Sequence, residues 1–261
     1  MLAACGGGDD GVLVDAAPCM DVTHDEDADG VGDRCDICPS APDPLQRDTT
    51  EAATMLVFPD GIGDACDPRP ALSGDRLGAH HTFADPARET DWTGTGWTIA
   101  NDRAQASDAA RWIAKSRELG DGIFVQARLA RLDWVDGGAF EIAVDGDGVG
   151  TGFGCAIARD RDGDGNDEID VREVGGAIMT KSAGMAIDGA VITVTAWRTY
   201  DVQRRGRVLC RVAFDGGKAE VEIPTSDDLG SGIYGFAQQA ATTDVTSIVV
   251  YTSPLLPVGN D

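Results

Sequence analysis

Twelve residues, Asp25-Glu26-Asp27-Ala28-Asp29-Gly30-Val31-Gly32-Asp33-Arg34-Cys35-Asp36, carry the most specific chemistry in the chain. Counted from Asp25, carboxylates fall at positions 1, 3, 5, 9 and 12, with glycine at position 6. Alternate side chains of such a loop converge on one point, and Val31 at position 7 adds a backbone carbonyl. Gly30 permits the sharp turn that returns the later ligands to the same point. Hard oxygens in six- to eightfold coordination suit calcium better than any softer metal. The expected ion is Ca2+, and the expected ligands are Asp25, Asp27, Asp29, Val31, Asp33 and Asp36.

A second stretch, Asp60-Gly61-Ile62-Gly63-Asp64-Ala65-Cys66-Asp67-Pro68, repeats the later half of that pattern. It offers Asp60, Ile62 (by its carbonyl), Asp64 and Asp67. The first two ligand positions would be Leu56 and Phe58, which cannot bind. Residues 49–59 read as an insertion after Asp48. Either Asp48 or Glu51 folds back to complete the shell, or the second site is weak or absent. A third acidic run, Asp160-Arg161-Asp162-Gly163-Asp164-Gly165-Asn166-Asp167-Glu168, offers Asp160, Asp162 and Asp164. Position 12 is Val171, so no acid closes that shell. A calcium loop and a plain Asp-Gly hairpin turn both suit it. Asp145-Gly146-Asp147-Gly148 is long enough only for a turn.

The cysteines interleaved with the first loop, Cys35-Asp36-Ile37-Cys38-Pro39, make residues 19–67 resemble a thrombospondin type 3 repeat. The resemblance implies short Asp loops wrapped around calcium and tied by disulfides, with little secondary structure. It also implies pairing from one repeat to the next, Cys19–Cys35 and Cys38–Cys66. Counting alone leaves three connectivities open for four cysteines.

Glu168-Ile169-Asp170-Val171-Arg172-Glu173 matches the Glu-Ile-Asp-x-x-Glu signature of retaining β-glucanases on the concanavalin A-like fold. Carried over, Glu168 is the nucleophile, Glu173 the acid/base and Asp170 the helper. A regular strand puts residues five apart on opposite faces, so that chemistry needs a bulge. A charged loop precedes the motif and the next aromatic is Trp197, unlike a sugar cleft of that family. Binding without hydrolysis is therefore the expectation.

Seven cysteines leave one unpaired in an exported protein. Leu2-Ala3-Ala4-Cys5-Gly6 resembles a bacterial lipobox, which implies lipidation of Cys5 and an outer-membrane or cell-surface location. Only Met1 to Ala4 precede Cys5, so a full signal would begin upstream. The other six, including Cys155 and Cys210 on separate strand candidates, are expected to pair in an oxidising compartment.

The net charge of −24 repels nucleic acid and anionic membrane surfaces and attracts cations. Residues 1–70 hold 16 acidic and 3 basic residues, against 29 and 18 in the remainder, so the first quarter carries over half the net charge. No segment is long and apolar enough to span a bilayer, so membrane contact is expected only through the lipid. Of the histidines, His24, His80 and His81, the adjacent pair is expected at the surface.

The elements that must hold these residues divide the chain. Residues 1–18 read as lipobox and flexible tether, 19–67 as the calcium module, 68–76 as linker, 77–255 as a β domain and 256–261 as a tail. Residues 19–67 have almost no periodic apolar positions, so metal and disulfides must replace a core. Beyond Leu77, period-2 runs separated by Gly/Asp turns predict an antiparallel sandwich. They are Ile123–Leu132, Phe140–Val144, Val191–Trp197, Val208–Phe214, Ala219–Ile223 and Ser247–Tyr251. Ser107–Leu119 could be a short helix, but a strand fits its surroundings better. Gly232-Ile233-Tyr234-Gly235-Phe236 followed by Val245–Tyr251 resembles the last strands of a concanavalin A-like (laminin G-like) jelly roll. The expected fold is all-β, an antiparallel jelly-roll sandwich with an irregular N-terminal module. Its expected partners are calcium and a surface glycan or another surface protein. A structural stalk is the remaining alternative.

Overall fold

The structure, a computed structural model, describes residues 24–51, 58–118, 120–145, 152–173, 178–200, 205–225 and 231–254. Cys5, Cys19, the tether, the Asp147 turn and the tail lie outside them.

Among the described residues, thirteen strands follow an irregular N-terminal stretch. They are β1 (Arg76–Thr82), β2 (Trp92–Thr95), β3 (Thr98–Ala100), β4 (Arg103–Ser107), β5 (Ala110–Ala114), β6 (Gly122–Val144) and β7 (Phe153–Ala158). The remainder are β8 (Glu168–Glu173), β9 (Ile178–Ser182), β10 (Ile192–Tyr200), β11 (Gly206–Phe214), β12 (Gly217–Pro224) and β13 (Tyr234–Ser253). All pairings are antiparallel. Ala110–Ala114 is a strand, as its surroundings suggested.

Two layers share their longest strands. The first half of β6 and the second half of β13 pair with each other and with β10 and β1, and β11 and β12 extend that layer. The second half of β6 and the first half of β13 pair with each other and with β7 and β5. β2, β8 and β9 complete the second layer. Register shifts at Gln239/Ala241 and between Asp244 and Ser247 let β13 bend from one layer into the other. Ile123–Leu132 and Phe140–Val144, read as separate strands, are one strand of 23 residues.

Alternation decides which side chains enter the core. Ile142, Phe140, Val194, Val212 and Val250 are fully buried between the layers, while their chain neighbours face out. Cys155 on β7 and Cys210 on β11 are bonded across the two layers. At one end Trp92 and Trp112 stack 5.7 Å apart, and Trp97 meets Phe236 at 4.7 Å. His81 joins this cluster, 4.8 Å from Trp92, with Nε2 2.6 Å from the Tyr234 hydroxyl. The histidine pair is therefore half-buried. β1 turns His81 inward and His80 toward the other face, and burial lowers the proton affinity of both, His81 to about 4.

Residues 24–51 and 58–75 form no strand and lie against the outer face of the first layer. Ile62, with 2% exposure, enters a small cluster with Phe124, Val249 and Tyr251, and Cys66 and Trp197 pack on its rim. Burying one such aliphatic side chain contributes about 2 kcal/mol. Cys38 is bonded to Cys66. Cys35 is disulfide-bonded too, and its expected partner Cys19 lies outside the described residues. The stretch read as a linker, residues 68–76, is pinned up to the start of β1 at Arg76. The Arg69 Nε donates to the fully buried Asp75 carboxylate at 3.0 Å, and Asp60 accepts from the Gly74 and Asp75 amides.

Candidate calcium loops and the surface cleft

The first acidic loop is tied to itself by its own carboxylates. Asp25 Oδ2 accepts from the Gly30 amide (2.9 Å), Asp27 Oδ1 from Asp29 (3.1 Å), and Asp29 Oδ1 from Val31 (2.7 Å). Gly30 takes φ +94°, where a side chain would be strained. These bonds turn carboxylate oxygens of Asp25, Asp27 and Asp29 to within 4.8 Å of one another. Asp36 stands close enough to Asp27 to raise its proton affinity, and Asp33 lies against Glu26. Both Asp33 oxygens, one oxygen of Asp27 and one of Glu26 are buried with no hydrogen-bond donor. Sequence spacing missed three participants. Glu26 faces Asp33, while Asp43 (by its amide, 2.9 Å) and Gln46 (2.9 Å) hold Asp29 and Asp36.

The second loop is completed by Asp48, before the stretch read as an insertion, and by Glu51, within it. Asp48, Glu51 and Asp64 converge, and so do Glu51, Asp60 and Asp67, with Glu51 common to both groups. Glu51 is fully buried. Asp48 is fixed by the Gly61 amide (2.8 Å), and Asp64 by the amides of Thr49 and Thr50 (3.0 Å each). The side chain of Ile62, placed in the loop for its carbonyl, is the one that docks on the sandwich. Phe58 is exposed, and Leu56 lies outside the described residues.

Burial and crowding disfavour ionisation at three of these groups most of all, while amide hydrogen bonds favour it at Asp64. Burial, then Asp33, pushes Glu26 up to about 9; burial, then Asp36 and Asp29, pushes Asp27 up to about 7; and burial, then Glu51, pushes Asp67 up to about 8. In the unfolded chain these carboxyls titrate near 4. Between about pH 4 and pH 9 the folded chain without a cation therefore holds more protons than the unfolded one. Its stability falls as pH rises through that window. In chelator, the thermal midpoint by circular dichroism is expected to be several degrees lower at about pH 8 than at about pH 5.5. Saturating calcium should remove the difference. A chelated chain more stable at the higher pH would contradict this origin of the shifts.

The third acidic run is the hairpin tip between β7 and β8. Asp160, Asp162 and Asp164 converge there, with the same bonding as the first loop: Gly165 to Asp160 (2.8 Å), Asp164 to Asp162 (3.2 Å), Asn166 to Asp164 (2.8 Å).

This tip folds back over the glucanase-like signature on β8 and changes its meaning. The Arg161 amide donates to Glu168 Oε2 (2.9 Å), and the Arg161 guanidinium pairs with Asp170 (2.6 Å). Glu168 is 3% exposed, and burial raises its proton affinity. β8 pairs in unbroken register with β7 and β9, so the strand has no bulge. Ile169 and Val171 enter the core, which leaves Glu168, Asp170 and Arg172 on the outer face and Glu173 on the opposite one. The structure does not bring the two glutamates together, and the retaining arrangement fails on strand parity.

That outer face of the second layer carries a cleft of about 380 Å3, within the range of small-ligand sites. Glu141, Asp170, Arg161 and Arg172 reach into it over a floor of Ala139, Ala156 and Ala237. Arg172 is ion-paired with Glu141, and Thr180 donates to Asp170 at 2.7 Å. A second groove, of about 350 Å3, runs between the N-terminal module and the sandwich beside Phe124, Trp197, Arg128 and Asp67.

No protein-family model matches the chain, and no curated protein matches it. Among solved structures, it is similar to a legume lectin-like domain from Entamoeba histolytica. The identity is 14% and the TM-score 0.50, over 66% of this chain and 97% of that one. It is also similar to a mutant of SCLam, a non-specific endo-β-1,3(4)-glucanase from family GH16, with an oligosaccharide at its active site. There the identity is 11% and the TM-score 0.50, over 69% of this chain and 96% of that one. At these identities the likeness concerns the fold: the sandwich is an antiparallel jelly roll.

Proposed function

We propose that the chain is an exported, calcium-binding surface lipoprotein whose jelly roll binds glycan. The observation that carries the calcium reading is the convergence of Asp25, Asp27 and Asp29, with the second oxygen of Asp27 buried and without a donor. A buried polar atom needs a partner, and several carboxylates aimed at one point are relieved by a cation or by protons, the cation prevailing near neutral pH. Calcium fits an all-oxygen donor set with a flexible loop. Asp25, Asp27, Asp29, Asp33 and Asp36 would hold one ion group in the module resembling a thrombospondin type 3 repeat. Asp48, Glu51, Asp60, Asp64 and Asp67 would hold a second, and Asp160, Asp162 and Asp164 a third at the hairpin tip. Calcium here supplies structure, since neutralised loops dock where separated ones would repel.

The glycan reading is supported by the open cleft on a jelly-roll layer, and by neighbours that are a lectin-like domain and a glucanase holding oligosaccharide. The disulfides are of a kind that persists outside the cytosol. Among the described residues no helix is long and apolar enough to cross a membrane. The Leu2-Ala3-Ala4-Cys5 sequence supports anchoring through lipid on Cys5. Expressed behind a lipoprotein signal in a bacterial host, the chain is expected to fractionate with membranes, and Cys5→Ser to release it. A wild-type chain found wholly in the soluble fraction would refute the anchor.

A further inference from the structure

We propose that the cleft on the second layer takes an anionic saccharide, one bearing a carboxylate or a sulfate ester. This rests on the glycan-binding reading and narrows it.

The outward positions of an antiparallel layer are ordinarily polar. On the three central strands most are not. β13 presents Gly235 and Ala237, β6 presents Ala139 and Ala143, and β7 presents Gly154, Ala156 and Ala158, facing one another in register. Glu141 is the one long side chain set among them, and Gln239 stands at the end of the row. A Cβ on Gly154 would stand 2.6 Å from Glu141 Oε1 and 3.1 Å from Arg172 Nε, so the missing side chain makes room for that ion pair. Three strands spaced by about 4.8 Å make a shallow floor roughly 10 Å across between the outer strands.

The walls are cationic. Arg172 and Arg161 rise from β8 and the hairpin tip on one side. On the other side, beyond the residues that line the cleft, Arg111 of β5 is exposed and paired in register with Ala237, on the same face. Arg172 and Arg161 each have a carboxylate partner, Glu141 and Asp170. Among the described residues Arg111 has none within ion-pair distance, and it lies near enough to Arg172 to lower that group's proton affinity, after burial. Glu168, on the same face, is buried under the hairpin tip with its ionisation disfavoured, so of the three guanidiniums only Arg111 stands without a carboxylate partner among the described residues, on a chain of net charge −24. An anion between Arg111 and Arg172 relieves their repulsion. The guanidinium fork matches the paired oxygens of a carboxylate or sulfate. No aromatic side chain lines the cleft among the described residues, so a neutral sugar finds no flat apolar surface to stack on.

The test is calorimetry of the full, calcium-loaded chain with paired probes that differ only in charge: oligogalacturonate and its methyl ester, and a sulfated galactan oligosaccharide and its desulfated form. At least one charged member should bind about tenfold or more tightly than its neutral counterpart, as expected for a charge-assisted contact. Arg111→Gln, at an exposed position, should remove about that factor for the charged probe alone, with the melting temperature unchanged. The pair that shows the preference identifies carboxylate or sulfate. Equal binding of charged and neutral members would overturn the inference and leave the glycan reading standing. A charged preference untouched by Arg111→Gln would overturn this cleft as its seat. Binding of none of the four probes, and of no neutral β-glucan, would overturn both.

Discussion

Chelation of calcium should lower the melting temperature of the full chain by about 10 °C and change the fluorescence of Trp197. Among the described residues, 24–51 and 58–75 form no hydrophobic cluster of their own; Ile62 packs onto the sandwich, and disulfides at Cys35 and between Cys38 and Cys66 tie the loops. They are instead ringed by carboxylates whose ionisation is disfavoured where they stand. A ligand that binds only the folded state stabilises it by about 4 kcal/mol at a thousand times its dissociation constant. For a chain of this size each kcal/mol is worth roughly 2–4 °C. The effect reaches the sandwich because the module covers Phe124, Val249 and Tyr251. Loss of the ions should loosen that cover and leave those side chains open to solvent. A midpoint unmoved within about 2 °C, in excess chelator near neutral pH, would mean that the acidic loops do not depend on a cation.

Replacing both Cys155 and Cys210 with serine should be the most damaging change to the sandwich itself. The bond closes a loop of 55 residues between the two layers. Loop-closure entropy for that span is about 4 kcal/mol. Two serine hydroxyls left in a fully buried, apolar site add a further cost, since both positions have no exposure. A loss of about 10–15 °C is expected under oxidising conditions, with the reduced wild-type chain shifted in the same direction. Alanine at both positions should recover part of the loss by removing the buried hydroxyls. A double variant as stable as the parent would show that the core alone holds the layers together.

Much of the jelly roll is legible from alternation. Phe140, Ile142 and Val144, and Val208, Cys210, Val212 and Phe214, face inward as their spacing requires. Continuity was hidden. Gly137-Gly138 reads as a break, yet β6 passes through it, because a paired strand can carry a glycine kink where it changes layers. The first acidic loop is legible because each ligand position is a residue type with few other reasons to keep that register. The second is legible only in part: Asp48 and Glu51 stand as open alternatives for completing it, and that Glu51 is common to two groups emerges only when the chain folds back. Ile62 was visible as a loop position but not as an anchor, since a lone aliphatic residue has no periodicity. The cleft has no motif at all. Its alanines and glycines are common residues, and their placement on one face emerges only when three strands are laid side by side. The Glu168 signature shows the reverse error: the letters match a catalytic strand, and a regular strand separates them.

Calorimetric titration of the chelated full chain with calcium, near neutral pH, tests calcium binding by the acidic loops most directly. Saturable uptake is the expected result. Asp27→Asn, which keeps the shape of a side chain buried in the first loop while removing its charge, should lower the number of ions bound or weaken them about tenfold or more. Absence of any saturable heat up to millimolar calcium, in a chain whose circular dichroism shows it folded, would contradict calcium binding by these loops.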